Sequence, residues 1–460
     1  MSCNNNVPGS FRDPSGFLFF KEGTLYRQIN LEYKENYDYF INLGLYSELS
    51  GSGLLISHQE ADISHRKSDN AYKVIKPEPV SFISYPYEWC FSQLKDAALT
   101  TLKIQKKALE HGMILKDASA YNIQFKNSKP IFVDTLSLEK YDEKQPWVAY
   151  RQFCQHFLAP LALMNYTDIR LNQLFRIFID GIPLDLTSSL LPLRTRLIPS
   201  LFLHIYLHAR SQRYFADKPL NKTAHKINRL SLQALVESLE SAVKKLTYKS
   251  QHTEWADYYK DTNYSSEALE HKKDLVVEFV DMIKPELIWD LGANVGLFSR
   301  IVADQAKQIV SFDIDPNAVE ENYLTCIQKG TTNILPLLLD FTNPSPGIGW
   351  KNQERASIFE RGPADVALAL AVIHHLAISN NLPFNKIADF FNAICDFLII
   401  EFIPKSDSQV QRLLSSREDI FTDYTQQAFE NEFKKYFTFQ KSIKIKDSKR
   451  ILYLMKRKLT

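Results

Sequence analysis

The sequence predicts an α/β fold for the C-terminal half of the chain, because strand-like apolar runs alternate there with amphipathic helical runs. From about residue 270, the strand-like runs LIWDLG, IVSFDI and ILPLLLD are separated by the helical runs VGLFSRIVADQA and NAVEENYLTCIQ. Such alternation predicts a parallel sheet covered by helices on both faces. The 460 residues exceed one ordinary domain, and 45% hydrophobic with 23% charged residues is typical of a globular chain.

The N-terminal half has a different pattern, which predicts a separate α+β domain. Residues 17–90 hold short apolar and aromatic runs broken by Gly, Pro and polar residues, as in strands joined by turns. We therefore expect an N-terminal α+β domain over 1–146 and a helical segment over 147–250 that continues this module. The C-terminal α/β domain is expected over 251–460.

Charge and cysteine content exclude several classes of protein. Lys and Arg number 55 against 53 Asp and Glu, so the bulk charge attracts neither nucleic acid nor anionic lipid, although a local basic patch stays open. Five scattered cysteines without ligand spacing predict neither a disulfide framework nor a zinc site, and we expect no bound metal. The polar N-terminus and the prolines and arginines within the apolar stretch 188–209 predict a cytoplasmic protein without a membrane span. That stretch is expected to form buried helices. The sequence does not set the oligomeric state.

The strongest local pattern is a strand, a glycine turn and a helix in LIWDLGANVGLFSRIVADQ. Gly292 and Gly296 lie in this turn, in a chain with only 14 glycines. Glycine lets the backbone approach a ligand closely, and Asn294 between them tolerates the left-handed region. This turn is the predicted centre of a nucleoside-binding site.

Acidic residues at the strand ends indicate which nucleoside would bind. Asp313 follows Asp290 by 23 residues, close to the ~20-residue offset of a ribose-binding acid. Asp340 and Phe341 end the next strand, where a carboxylate and an aromatic ring can hold an adenine. Asp290 itself would repel a pyrophosphate, which usually lies on uncharged amides, but it suits the ammonium and sulfonium charges of S-adenosylmethionine. The predicted cofactor is therefore S-adenosylmethionine.

These residues resemble motif I of the class I S-adenosylmethionine-dependent methyltransferases. The resemblance implies a Rossmann-like domain, with Asp313 as the ribose-binding acid and Asp340 as the acid on the adenine side. It also implies that ADVALALAVIHHL faces the substrate. The whole chain further resembles the nodulation-protein NoeA-like methyltransferase family through SYPYEWCFSQLKDAALTTL, LKDASAYNIQFKNSKPIFVDTLSLE and EFIPKSDSQVQRLL. That family implies a methyltransferase with an undefined acceptor.

Two histidines are the candidates for catalysis. His374 and His375 end the fourth strand of the α/β domain, and an imidazole there can accept the proton of a hydroxyl acceptor. Alternatively, one or both shape the pocket or bind the backbone, since methyl transfer can proceed by positioning alone.

Further residues are expected around the methyl acceptor. Glu401 ends the next strand, and the aromatic segment 255–265 provides a candidate lid, although a packed linker is the alternative. The candidate substrate-binding residues are Tyr259, Asn263, Tyr264 and Glu401. The fourth motif lacks the sequences typical of nucleic-acid methylation. We therefore expect a small-molecule hydroxyl acceptor, lipid-like or sugar-like, rather than nucleic acid.

A second constellation lies in the N-terminal domain. Asp117 and Asn122 have the spacing D-x-x-x-x-N, and Asp134 follows the next hairpin. The segment resembles the catalytic loop of the protein-kinase and aminoglycoside-phosphotransferase-like fold, with Lys116 and Asp-Thr-Leu as departures. Three interpretations stay open. The first is a kinase-like fold kept for structure or substrate binding, and the second is a phosphotransferase or ATP-binding module fused to a non-catalytic cofactor-binding domain. The third is coincidence.

Overall fold

The computed structural model divides the chain into two compact units. It describes residues 6–143, 145–210, 228–249, 264–415 and 418–458. Unit 1 comprises Met1–Lys249 and Ile348–Arg355, and unit 2 comprises Ser250–Gly347 and Ala356–Thr460. Among the described stretches, no helix combines the length and apolar character that a membrane crossing requires.

Unit 1 begins with an antiparallel four-stranded sheet, in the order β1-β2-β4-β3. Its strands are β1 (Gly16–Lys21), β2 (Thr24–Asn30), β3 (His58–Ala61) and β4 (Ala71–Pro77). Helices α1 (Lys34–Asn42) and α2 (Leu45–Gly51) lie between β2 and β3 in the chain. Tyr33, just before α1, and Tyr37, within α1, are buried with Ile29, Ile75 and Leu136 and form part of the core.

A long helix and two strand pairs follow. Helix α3 (Phe91–Glu110) buries its apolar stripe and packs against both strand pairs. The strands are β5 (Met113–Leu115), β6 (Ile123–Lys126), β7 (Lys129–Phe132) and β8 (Leu138–Lys140), with β5 paired to β8 and β6 to β7. Asn127 and Ser128 have φ of 52° and 58°, which forms the tight turn between β6 and β7.

Helices form most of the remainder of unit 1. They are Tyr150–Phe153, Cys154–Leu158, α4 (Ala159–Tyr166), Ile169–Arg176, α5 (Leu184–Leu190), Leu193–Leu197, Pro199–Leu201, Phe202–Leu207 and α6 (Arg229–Lys245). The expectation that the apolar stretch 188–209 is buried is wrong in part: Leu193 and Leu197 are 72% and 85% exposed. The stretch is broken into helices too short to turn every apolar side chain inward.

The segment Ile348–Arg355 belongs to unit 1, although unit 2 residues flank it in the sequence. Its ends pair as a short antiparallel bridge. Arg12 donates to both carboxylate oxygens of Glu354, at 2.6 and 3.1 Å. The guanidinium of Arg355 lies 4.2 Å from the centre of the Tyr121 ring. These contacts fix the segment within unit 1.

Unit 2 is built on a seven-stranded sheet in the order β11-β10-β9-β12-β13-β15-β14. The strands are β9 (Leu287–Leu291), β10 (Gln308–Asp313), β11 (Ile334–Leu338), β12 (Ala364–Ala369), β13 (Cys395–Phe402), β14 (Phe437–Lys444) and β15 (Ile451–Arg457). Strands β9 to β13 are parallel, and β15 and β14 add an antiparallel edge. This order confirms the predicted Rossmann-like fold.

The helices of unit 2 begin and end at residues that cap them. They are α7 (Ser266–Ile283), α8 (Leu297–Ile301), α9 (Pro316–Lys329), α10 (Ile358–Arg361), His375–Ser379, α11 (Phe384–Ile394), α12 (Ser408–Leu414) and α13 (Gln426–Tyr436). The Ser265 hydroxyl caps α7, Asp315 caps α9, and Gly330 ends α9 with φ of 65°. The strand order reverses between β9 and β12, which is where ligands bind in open α/β sheets.

Candidate functional site

A cavity of about 480 Å³ lies in unit 2 at the carboxyl ends of β9, β10, β11 and β12. Its volume suits a small-molecule ligand. The predicted site residues that line it are Tyr264, Asp290, Gly292, Asn294, Asp313, Asp340, Phe341, His374 and His375. Residues far apart in the sequence therefore surround one space.

Asp290 is the most buried carboxylate of the cavity lining. It is 1% exposed at the end of β9, and its Oδ2 accepts a hydrogen bond of 2.6 Å from the Ser299 hydroxyl. Ser299 Oγ also lies 2.6 Å from Ser311 Oγ. Burial raises the pKa of Asp290 to about 6. The carboxylate is charged near neutral pH only at a cost, which a bound cation would remove.

The two glycines of the turn lie close to different neighbouring side chains. Gly292 has φ of 77°, and a Cβ there would lie 2.7 Å from Val372 Cγ2. Gly296 also has φ of 77°, but a Cβ there would lie 2.3 Å from Asn322 Oδ1. Gly296 lies outside the cavity lining and positions the start of α8 instead. Both positions require glycine, because a side chain would be strained and would clash.

Asp313 holds the turn and faces the cavity. Its Oδ2 accepts a 2.7 Å hydrogen bond from the Asn294 amide, and its Oδ1 accepts one of 2.9 Å from the Asp315 amide. Burial raises the pKa of Asp313 to about 6. Farther along, Asp340 accepts hydrogen bonds from Thr342, and Phe341 presents its ring to the cavity. The acid and the aromatic ring predicted for the nucleoside thus border one cavity.

The two histidines follow β12 and lie against each other. Their ring centres are 4.0 Å apart, and His374 is 2% exposed. Nδ1 of His374 has no hydrogen-bond partner within the described part of the chain. Burial, with nearby His375, Arg450 and Lys272, holds the pKa of His374 well below its usual range, and burial lowers that of His375 to about 4. Both imidazoles are therefore neutral at pH 7 and are weaker bases than an exposed histidine.

A buried charge cluster beside the cavity consists of Lys272, Glu401, Asp407 and Arg450. Lys272 Nζ donates to Glu401 at 2.7 Å, and Arg450 Nε donates to Asp407 at 2.8 Å. Although burial alone would raise it, Lys272 and Arg450 hold the pKa of Glu401 below its usual range. Glu401 does not line the cavity; it hydrogen-bonds to Tyr264, which does.

Lys272 lines the cavity but was not predicted from the sequence. It is 3% exposed on α7, among apolar residues of the same face, including Ala268 and Val276. A lysine on the apolar stripe of a helix is the signal that could have identified it. Ala371, with φ of 58°, also lines the cavity and belongs to the segment that was expected to face the substrate. The predicted lid residues Tyr259 and Asn263 lie outside the described residues.

The structure brings the N-terminal constellation together in unit 1. Asn122 Nδ2 donates to Ser137 Oγ at 3.4 Å, and Ser137 Oγ donates to Asp134. Burial, with the charge of Asp134, raises the pKa of Asp117. Arg27 Nη2 forms a 2.5 Å ion pair with Asp134. The kinase-like interpretation stays a prediction. Within the described part of the chain, no group of three or more His, Cys, Asp or Glu residues is arranged to hold a metal ion.

Comparison with known proteins places the chain in a family. No protein-family model matches it. Nodulation protein NoeA of Rhizobium meliloti (strain 1021) is 34% identical over 459 residues, covering 98% of this chain and 96% of NoeA. Among solved structures, the N-methyltransferase NodS of Bradyrhizobium japonicum WM9 aligns at 10% identity and a TM-score of 0.30, over 42% of this chain and 99% of NodS. The magnesium protoporphyrin IX methyltransferase of Synechocystis PCC 6803 aligns at 14% identity and a TM-score of 0.30, over 44% of this chain and 93% of that enzyme. The chain belongs to the family of nodulation protein NoeA.

Proposed function

We propose that unit 2 binds S-adenosylmethionine and transfers its methyl group to a hydroxyl of a small, lipid-like or sugar-like acceptor. One observation carries the proposal. The same cavity is lined by two buried acids, Asp290 and Asp313, and by the buried imidazole of His374, whose Nδ1 is unpartnered among the described residues. The acids can bind the cationic groups and the ribose hydroxyls of the cofactor, and the imidazole can accept the proton of the acceptor hydroxyl.

The charges of the cavity fit the cofactor. The carboxylate of Asp290 would hold the cationic part of the cofactor. Lys272 of α7 would attract the carboxylate of the cofactor. Asp313, whose oxygens are fixed by backbone amides, would accept hydrogen bonds from ribose hydroxyls. Phe341 would pack on the adenine. A neutral lining would leave the charges of such a zwitterion unpaired.

The chain's own residues position the acceptor and take up its proton. The cofactor supplies a methyl carbon that is activated by its sulfonium, so the bond from carbon to sulfur breaks as the bond to the acceptor oxygen forms. Apolar residues of the lining, Leu370, Val372 and Leu376, exclude water from this path. The neutral His374 ring accepts the hydroxyl proton. Because the imidazole is a weak base, positioning supplies most of the rate.

Replacement of His374 tests this function. We expect His374→Ala to lower methyl transfer about a hundredfold, at the lower end of the range for general bases, and to leave the affinity for S-adenosylhomocysteine unchanged. The assay follows tritium from methyl-labelled cofactor into lipid and sugar fractions of a cell extract, and calorimetry gives the affinity. His375→Ala is the matched comparison on the same loop. Binding of S-adenosylhomocysteine without label in any fraction would contradict the proposal and favour a cofactor-binding protein that moves no methyl group.

The affinity for S-adenosylmethionine is expected to fall below pH 6. The pKa of Asp290 is about 6 in the ligand-free protein, and a bound cation requires the deprotonated carboxylate. Below that pH, one proton must leave on binding, so Kd rises about tenfold per pH unit, or more steeply where Asp313 also loses a proton. Calorimetry from about pH 8 to about pH 5 checks this slope. A Kd that stays constant over this range would contradict the role of Asp290.

The compartment is a further part of the proposal. Cys90, Cys154, Cys326 and Cys395 are buried thiols outside any disulfide. Free thiols are typical of proteins kept in a reducing compartment. They support a cytoplasmic location, where the cofactor site would operate.

A further inference from the structure

Unit 1 exposes a set of large apolar side chains on short helices after α5. Leu193 and Leu197 are 72% and 85% exposed, and Leu203 and Leu207 are 47% and 41% exposed. We define the apolar face as Leu190, Leu193, Leu197, Phe202, Leu203 and Leu207, all of them exposed. A single exposed leucine needs no explanation, but a group of them on adjoining elements indicates an interaction surface.

The structure places these side chains on helices that pack together. The helix Phe202–Leu207 packs against α5 and against the helix Leu193–Leu197. Thr195 Oγ1 and Tyr206 OH lie 2.6 Å apart and join the two short helices. Leu203 and Leu207 are four residues apart on the helix Phe202–Leu207, which places them near one side. Leu193 and Leu197 are the first and last residues of a 3₁₀ helix. The apolar face is thus held by folded structure.

Positive charge exceeds negative charge around the apolar face. The described residues 184–210 contain Arg194, Arg196 and Arg210 against one acid, Asp185, and α6 adds Arg229, Lys244 and Lys245 against Glu237 and Glu240. The guanidinium of Arg196 lies 5.4 Å from the centre of the Tyr206 ring, next to the exposed leucines. This concentration stands against a near balance of 55 basic and 53 acidic residues in the whole chain.

We propose that the apolar face docks unit 1 onto an anionic lipid bilayer. The leucines would enter the boundary between headgroups and acyl chains, and Arg194 and Arg196 would contact the lipid phosphates. The excess of arginine beside the exposed leucines suits a surface that is uniformly negative, whereas a protein partner of ordinary composition presents both signs. Helices of this length lie in the interface and do not cross the membrane. This inference is independent of the methyl transfer proposed for unit 2.

Vesicle co-sedimentation of the full chain tests the docking. We expect the protein to sediment with vesicles of phosphatidylcholine and phosphatidylglycerol in equal parts, and not with phosphatidylcholine alone. The double variant Leu193→Asp with Leu197→Asp should bind about a hundredfold more weakly, because two exposed leucines lose their burial in lipid. Arg194→Gln with Arg196→Gln should weaken binding about fivefold for each arginine and reduce its dependence on salt.

Matched controls separate lipid docking from a change in folding or oligomeric state. Leu324 and Ile327 are 48% and 45% exposed on α9 of unit 2, and their double replacement by Asp should leave vesicle binding unchanged. Each variant should keep the thermal unfolding of the parent protein, since the replaced side chains are exposed. Equal sedimentation with neutral vesicles, no sedimentation, or a leucine variant that still sediments would overturn the proposal. So would dimers of the parent protein that the leucine variant converts to monomers without any loss of lipid binding.

Discussion

Asp290→Asn is expected to abolish cofactor binding and, at the same time, to stabilise the ligand-free protein. The Asp290 carboxylate has a pKa of about 6 in the folded protein, above its ordinary value of 3.8, because it is buried. A raised carboxyl pKa means that the folded state loses stability as the pH rises from 3.8 towards 6. Removing the charge of Asp290 should therefore raise the free energy of unfolding at pH 7 by up to about 3 kcal/mol.

The two effects of Asp290→Asn have separate measurements. Affinity for S-adenosylmethionine should fall at least about a hundredfold, since a buried cation would lose its counter-charge. Thermal unfolding of the ligand-free variant should occur at a higher temperature than that of the parent, and S-adenosylhomocysteine should no longer raise it. Asp365 offers a matched control: its carboxylate accepts hydrogen bonds from the Glu286 and Leu287 amides away from the cavity. Asp365→Asn should keep cofactor binding and lose stability. A variant at Asp290 that binds with parental affinity would refute the cofactor assignment.

Arg450→Met is expected to have the largest effect on folding. Arg450 is 2% exposed and pairs with Asp407 through two hydrogen bonds of 2.8 and 3.1 Å. Its Nη1 also lies 3.6 Å from Glu401, which Lys272 contacts from the other side. Without the guanidinium, two buried carboxylates would share one ammonium, and the free energy of unfolding should fall by about 3–5 kcal/mol.

Urea unfolding of Arg450→Met and of a matched variant measures this cost. Arg457 ends β15, the strand that Arg450 precedes, and its ion pair with Asp396 is partly exposed. Arg457→Met should therefore cost less than about 1 kcal/mol. Adding Asp407→Leu to Arg450→Met should restore part of the stability, because it removes one unpaired charge. Equal costs for the two arginines would show that the cluster contributes no more than a surface pair.

The sequence predicts the sheet of unit 2 and much of its cavity because those signals are local. A strand, a glycine turn and a helix lie within a short stretch, so Asp290, Gly292 and Asn294 can be recognised together. Asp313 and Asp340 can be recognised in the same way, because they lie where the next two strands end. Histidines at the end of β12 are found for the same reason, because parallel strands all end at one edge of the sheet.

The sequence does not predict which residues far apart in the chain contact each other. Lys272, Glu401 and Arg450 come from three separate elements, and no spacing rule connects them. Glu401 was expected in the substrate site, but Lys272 and Tyr264 engage its carboxylate outside the cavity lining. Gly296 was expected to contact the cofactor, but the neighbour that leaves no room for a side chain at this position is Asn322. An apolar pattern such as that of 188–209 predicts helices, yet it does not show which side another element covers.

The segment Ile348–Arg355 makes the two units inseparable by any single cut in the polypeptide. A fragment that ends at Lys249 lacks Glu354, and Arg12 then has no carboxylate at its guanidinium. During synthesis, unit 1 therefore lacks its last segment until β9, β10 and β11, three of the seven strands of the unit 2 sheet, have been made. Because a segment of unit 1 lies within the sequence of unit 2, the order in which the chain is synthesised differs from the order in which its units fold.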